Sequence, residues 1–150
     1  MKLTDDVVYL ARVPIDTNVD SGPRYRELAH AALDNLDLDL PATGKIMLKA
    51  NATVLFPAEK RVITHPHFLA GLAESFIGKG ISASRIDVGD GQSGENPDAG
   101  HTWDKSGYTE AIAGTGATLL PFNDTPVRDI EVAGGVVFQR YPVYTAVTDC

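Results

Sequence analysis

The sequence predicts an α/β fold: a mainly parallel sheet with helices on its faces, layered in Rossmann-like fashion, and a closing β-hairpin. Three observations carry this. Short, apolar, β-branched runs end at Gly, Pro or Asp, as at Val88-Gly89-Asp90. Between them lie longer stretches whose apolar side chains recur at helical spacing. After Arg128 the pattern changes to two β-rich arms around Gly134-Gly135, a hairpin signal. Strands alternating with helices make βαβ units and a parallel sheet, and such crossovers are right-handed.

In chain order, residues 7–13 read as a first strand, stopped by Pro14. Pro23 marks a helix start, and Tyr25, Leu28, Ala29, Ala32, Leu33 and Leu36 form one apolar stripe. Residues 37–41 end that helix, and Gly44 turns the chain into a buried strand over 45–50. Residues 51–63 are an irregular connection. Thr64 or His65 caps a second helix with Pro66 in its first turn; Phe68, Leu69, Leu72, Ala73, Phe76 and Ile77 are its buried face, and Gly78 and Gly80 its end. Residues 85–89 are a third strand, 90–103 a second irregular stretch, 105–113 a short helix and 118–122 a fourth strand. The hairpin is predicted over 128–133 and 136–139.

A chain of 150 residues suits a single domain over 1–150, long enough to bury a core without disulfides or metals. The formal net charge of -7 argues against nucleic-acid partners, which need a basic surface, and against anionic membranes. No apolar run reaches the roughly 20 residues of a membrane span. Cys150 is the one cysteine, so a cysteine-ligated iron–sulfur cluster cannot form within the chain. That usage fits a reducing, cytoplasmic setting. The residues from Tyr144 to Cys150 read as the approach to a further element, so the chain is expected to be a partial copy of something longer.

Ligands of open parallel sheets bind beyond the carboxyl ends of the strands. That rule selects Lys49-Ala50-Asn51 with the approach to Thr64-His65-Pro66, and Asp90-Gly91-Gln92-Ser93-Gly94-Glu95 with the approach to His101-Thr102-Trp103. Lys49 either carries its ammonium to the surface or holds a phosphate or carboxylate. Asn51 either forms a turn or orients a polar ligand group. Asp90 suits a turn or, with Glu95, an oxygen-ligand site for a divalent metal. His65 caps a helix or moves protons, and His101 is a structural hydrogen-bonder or a general base. Thr64, Gly91, Gln92 and Ser93 complete the candidate ligand-binding set. Trp103 folds its loop onto the body or stacks on a ligand. Gly89, Gly91 and Gly94 mimic a dinucleotide fingerprint, but Glu95-Asn96-Pro97 stands where a helix should open.

Lys49-Ala50-Asn51, Thr64-His65-Pro66, the run from Ile86 to Gly91 and Ser106-Gly107-Tyr108 together resemble the family called domain of unknown function 362. Its pattern is a strand ending in Lys-Pro-Asn, Thr-His-Pro opening a helix, a strand ending in a Gly-Asp or Glu-Gly pair, and Ser-Gly-Tyr before the next helix. The likeness covers about residues 45–125, and Ala50 replaces the usual proline. Some members look like iron–sulfur proteins through an attached cysteine cluster, which this chain lacks. The family domain is normally longer, which the resemblance makes a second sign of a partial copy. The expected function is that of an enzyme acting on a small anionic metabolite with metal assistance. The alternatives are a non-catalytic ligand-binding or redox-accessory module, or an inactive fragment.

Overall fold

The structure is a computed structural model and describes residues 10–12, 21–36, 38–52, 58, 62–91 and 103–150. Helix α1, Gly22–Asp34, has proline in its first turn and buries Ala29 and Leu33. It lies on α2, Pro66–Gly78, which buries Leu69, Ala70, Gly71, Ala73 and Phe76. A Cβ on Gly71 would sit 2.8 Å from both the Ala29 Cβ and the Arg26 backbone. Glycine at this position is what lets the helices approach so closely.

Three strands form the parallel sheet: β1, Ile46–Lys49; β2, Ile86–Asp90; and β3, Thr118–Pro121. Their order is β1-β2-β3, with Leu48 beside Val88 and Val88 beside Leu119. Paired residues of a parallel sheet share a face, and successive ones alternate. Ile46, Leu48, Ile86, Val88 and Leu119 therefore line one face, and all belong to or pack on the core that also holds Leu69, Ala73, Phe76 and Ile112. Helix α3, Tyr108–Ala113, contributes Tyr108, Ala111 and Ile112 to that core. On the opposite face, a Cβ on Gly89 would meet the Leu120 carbonyl oxygen at 2.2 Å and the Phe122 ring at 2.7 Å. Burial of β2 along its whole length follows from being the middle strand.

Past β3, a 3-10 turn at Phe122–Asp124 leads into β4, Val127–Glu131, paired antiparallel with β5, Arg140–Tyr144. A short helix α4, Thr145–Thr148, follows. The predicted α/β class with its closing hairpin is therefore the observed one, and no closed barrel is formed among the described residues. Its details differ from expectation in three places. The second hairpin arm is β5 rather than 136–139, because Gly134 (φ +74°) and two backbone bonds, Gly135 N–H to the Val132 carbonyl and Val132 N–H to the Gln139 carbonyl, turn the chain through 132–139. Val136, Val137 and Phe138 consequently stand exposed. Helix α3 starts at 108, since Gly107 at φ +80° breaks the helical path. The predicted fourth strand ends at Pro121, where Phe122 turns inward over Gly89. Of the predicted strand 7–13, residues 10–12 are described without regular structure, and the rest lies outside the described residues. Among the described residues no helix is long and apolar enough to cross a membrane.

Candidate functional site at the carboxyl edge of the sheet

Side by side in the sheet, β1 and β2 deliver Lys49 and Asp90 to the same edge. Asp90 is 2% exposed. Its Oδ1 accepts from Lys49 Nζ at 2.8 Å and from the Gly91 amide at 2.9 Å, and its Oδ2 accepts from the Ala52 amide at 2.6 Å. The carboxylate thus stitches the chain after β1 to the end of β2. Lys49 also donates to the Ala50 carbonyl at 2.8 Å, yet its side chain remains 64% exposed. One side of the ion pair is sealed and the other faces solvent.

The approach to α2 is fastened to the same place. The Asn51 amide donates to Thr64 Oγ1 at 3.0 Å, the Thr64 amide returns a bond to the Asn51 carbonyl at 3.0 Å, and Asn51 Nδ2 reaches the Val62 carbonyl at 3.2 Å. Tyr108, fully buried, donates its hydroxyl to the Thr64 carbonyl. Burial, and after it the negative charge of Asp90, pushes the Tyr108 phenol well above its ordinary pKa of 10.0, since both disfavour the phenolate. Trp103 meets the Tyr108 ring edge-on at a centroid distance of 5.1 Å. A Cβ on Gly107 would lie 3.7 Å from Pro66. The four short segments singled out in the sequence, at 49–51, 64–66, 90–91 and 106–108, therefore meet at one edge of the sheet.

His65 opens α2 with extended backbone, as predicted for a cap residue, but makes no side-chain capping bond. Its ring stacks on Tyr25 at 3.8 Å. His67 is turned to α1, where its Nδ1 accepts from Arg26 at 3.2 Å. Arg26 also pairs with Glu74, so this network ties α1 to α2. The structure brings Lys49, Asn51, Thr64, Asp90 and Gly91 together, with His65 at the adjoining helix start. Gln92, Ser93, Glu95 and His101 lie outside the described residues. Among the described residues, no group of three or more His, Cys, Asp or Glu side chains is placed to hold a metal ion.

Sequence reasoning did not select Tyr108, Ser106 or the Ala52 amide as site components. Ser106-Gly107-Tyr108 carried a signal as part of the family pattern, but only the structure shows Tyr108 spanning from α3 to the start of α2. Two buried donors beside it, Trp103 Nε1 and Ser106 Oγ, have no hydrogen-bond partner among the described residues.

A family model described as a domain of unknown function (DUF362) matches residues 46–150. That span begins at β1 and includes every segment of the edge just described. No curated protein and no solved structure matches the chain.

Proposed function

The chain belongs to the DUF362 family, and on that premise we propose that the carboxyl edge of β1 and β2 is a crevice that holds a small anionic metabolite. The observation carrying this reading is that segments 49–51, 64–66, 90–91 and 106–108 converge there around one buried carboxylate and one exposed ammonium. In this reading Lys49 is the contacting cation. Asp90 is a positioning residue: with both oxygens engaged, it orients Lys49 and the backbone from 50 to 52. Asn51 and Thr64 lock that backbone to the start of α2, whose amide end adds a favourable field for an anion.

Holding a ligand is favoured over direct chemistry by Asp90, because a carboxylate spent on two amides and an ammonium has little left for a metal or a proton. Metal-assisted turnover would then draw on side chains beyond Asp90. The test is calorimetric titration with acetate, succinate and inorganic phosphate, followed by a search for turnover with a divalent cation added. Binding by the intact chain, weakened about tenfold or more by Lys49→Ala, is expected, since a charged hydrogen bond contributes about 1.5–3 kcal/mol and tenfold is about 1.4 kcal/mol. Equal affinity of the wild type and Lys49→Ala would remove the proposal, as would absence of binding to all three probes.

A further inference from the structure

We propose that the outer edge of β4 is a docking site for an extended segment of another protein, one whose side chains alternate basic and apolar. The site is independent of the anion crevice. Its starting point is the hydrogen-bond phase of the hairpin. The Val132 amide donates to the Gln139 carbonyl at 3.0 Å, and the Thr145 amide to the Pro126 carbonyl at 2.8 Å. Both pairs continue the β4–β5 register. In an antiparallel ladder, hydrogen-bonded pairs alternate with pairs whose backbone groups point outward. The inward pairs are therefore Arg128 with Val143 and Ile130 with Tyr141. Val127, Asp129 and Glu131 turn their N–H and C=O groups to the outer edge of β4, and Arg140, Pro142 and Tyr144 turn theirs to the outer edge of β5.

The two edges differ. Pro142 has no N–H, which blocks strand addition on β5. β4 has no proline, and its outward groups pair with no other backbone among the described residues. A two-stranded ribbon is marginal in water, and a third strand is one of the ways it gains stability. Val127, Val132 and Tyr141 are 56%, 42% and 52% exposed, so the ribbon retains apolar surface to cover.

Charge selects the occupant. Val127, Asp129 and Glu131 share one face of β4, and Arg128 and Ile130 the other. Arg128 is matched by Asp149 and Glu131 by Arg140, which leaves Asp129 without a salt bridge among the described residues. A strand laid along β4 meets acidic side chains on one face and Ile130 on the other. Lys or Arg alternating with an aliphatic residue answers both faces, and a net charge of -7 favours a basic partner. A second copy fits worse. Twofold pairing of β4 with itself opposes Arg128 to Arg128 when centred on 128, Asp129 to Asp129 when centred on 129, and Asp129 to Glu131 when centred on 130. Like charges directly opposite are destabilising.

The probe is the peptide acetyl-Lys-Val-Lys-Val-Lys-Val-Lys-amide, titrated into the 15N-labelled chain, with the same peptide bearing Glu for Lys as control. Saturable shifts are expected at the amides of Val127, Asp129 and Glu131, with slower hydrogen exchange there. The Glu peptide should bind about fivefold more weakly or worse. Asp129→Pro should weaken the Lys peptide about fivefold or more, because it removes an outward N–H and spares the inner ladder; Arg128 already has the extended backbone that a following proline requires. Asp129→Lys keeps every backbone donor, and should weaken the Lys peptide and strengthen the Glu peptide. A silent titration at millimolar peptide overturns the proposal, as do shifts centred on 140–144, equal binding of the two peptides, or an unchanged preference in Asp129→Lys. Exchange protection of the Val127, Asp129 and Glu131 amides before any peptide is added also overturns it, since a second copy or another segment of the chain then covers the edge.

Discussion

Removing Asp90 and removing Lys49 should have very unequal effects on stability, although they are partners in one ion pair. Asp90 is buried, and its Oδ2 is the acceptor for the amide of Ala52, itself fully buried. Asp90→Ala leaves that amide without its acceptor, which costs about 1–3 kcal/mol, and loses the Gly91 amide bond and side-chain packing as well. The expected loss is about 2–5 kcal/mol. Lys49 is 64% exposed, so its attraction to Asp90 is screened, and exposed pairs are worth about 0–1 kcal/mol. Lys49→Ala leaves Asp90 with both amide donors, and the expected loss is about 1 kcal/mol. Asp90→Asn should fall between the two: its amide oxygen satisfies one backbone N–H while its amino group faces the other. Urea unfolding followed by circular dichroism, analysed by linear extrapolation at a common slope, measures all three. Equal losses for Lys49→Ala and Asp90→Ala, or a loss below about 1 kcal/mol for Asp90→Ala, would refute the claim that the carboxylate acts chiefly through the backbone amides.

Gly89→Ala should destabilise by at least about 1–3 kcal/mol, because the new methyl would lie 2.2 Å from a backbone oxygen of the neighbouring strand; thermal melting reads this, and a melt within a degree or so of wild type would contradict the register. Arg85 donates to the carbonyls of Gly44, Ala42 and Pro41 at 2.7, 3.1 and 2.8 Å. Arg85→Lys should therefore lose nearly as much stability as Arg85→Ala, about 1 kcal/mol, since an ammonium cannot reproduce the planar fork; full rescue by lysine in urea titrations would count against that role. Tyr108 has a raised pKa in the folded state, so above its ordinary value of 10.0 the unfolded chain binds fewer protons than the folded one, and stability falls as pH rises beyond that point. The wild-type minus Tyr108→Phe absorbance difference should show no tyrosinate until the protein unfolds in alkali, and a Tyr108 signal titrating at its ordinary value in folded protein would refute its burial against Asp90. Replacing Val136 and Val137 with serine should change stability by less than about 0.5 kcal/mol each, since both side chains already face solvent; a large loss in urea titrations would show that they are covered.

Much of the fold was legible because its signals are local. The helical spacing of Ala29 and Leu33, and of Leu69, Ala73 and Phe76, reports which side of each helix is apolar, and those residues are buried. The apolar runs at 45–50 and 85–89 announced the strands observed at 46–49 and 86–90, and Pro66 announced where α2 begins. The same locality explains the errors. Val136, Val137 and Phe138 have high strand propensity, but hairpin pairing is decided by how Gly134 and the loop to Gln139 return the chain, and propensity is blind to that. Lys49, Asn51, Thr64 and Asp90 were selected because they leave apolar strands or precede a helix. The sheet rule placed them at one edge without revealing whom each would bond.

Composition and periodicity alone determined the α/β class, the positions of α1, α2 and the three parallel strands, and the edge at which a site should be sought. Only the tertiary structure decided that Asp90 spends its carboxylate on Lys49 and on the Ala52 and Gly91 amides, and that Tyr108 reaches Thr64. It also decided that Trp103 and Ser106 are buried with unpartnered donors among the described residues. The physical reason is sequence separation. Ala52 and Asp90 are 38 residues apart and Thr64 and Tyr108 are 44 apart. Their meeting depends on strand order and register, which arise from the packing of the whole sheet against its helices rather than from any local run of residues.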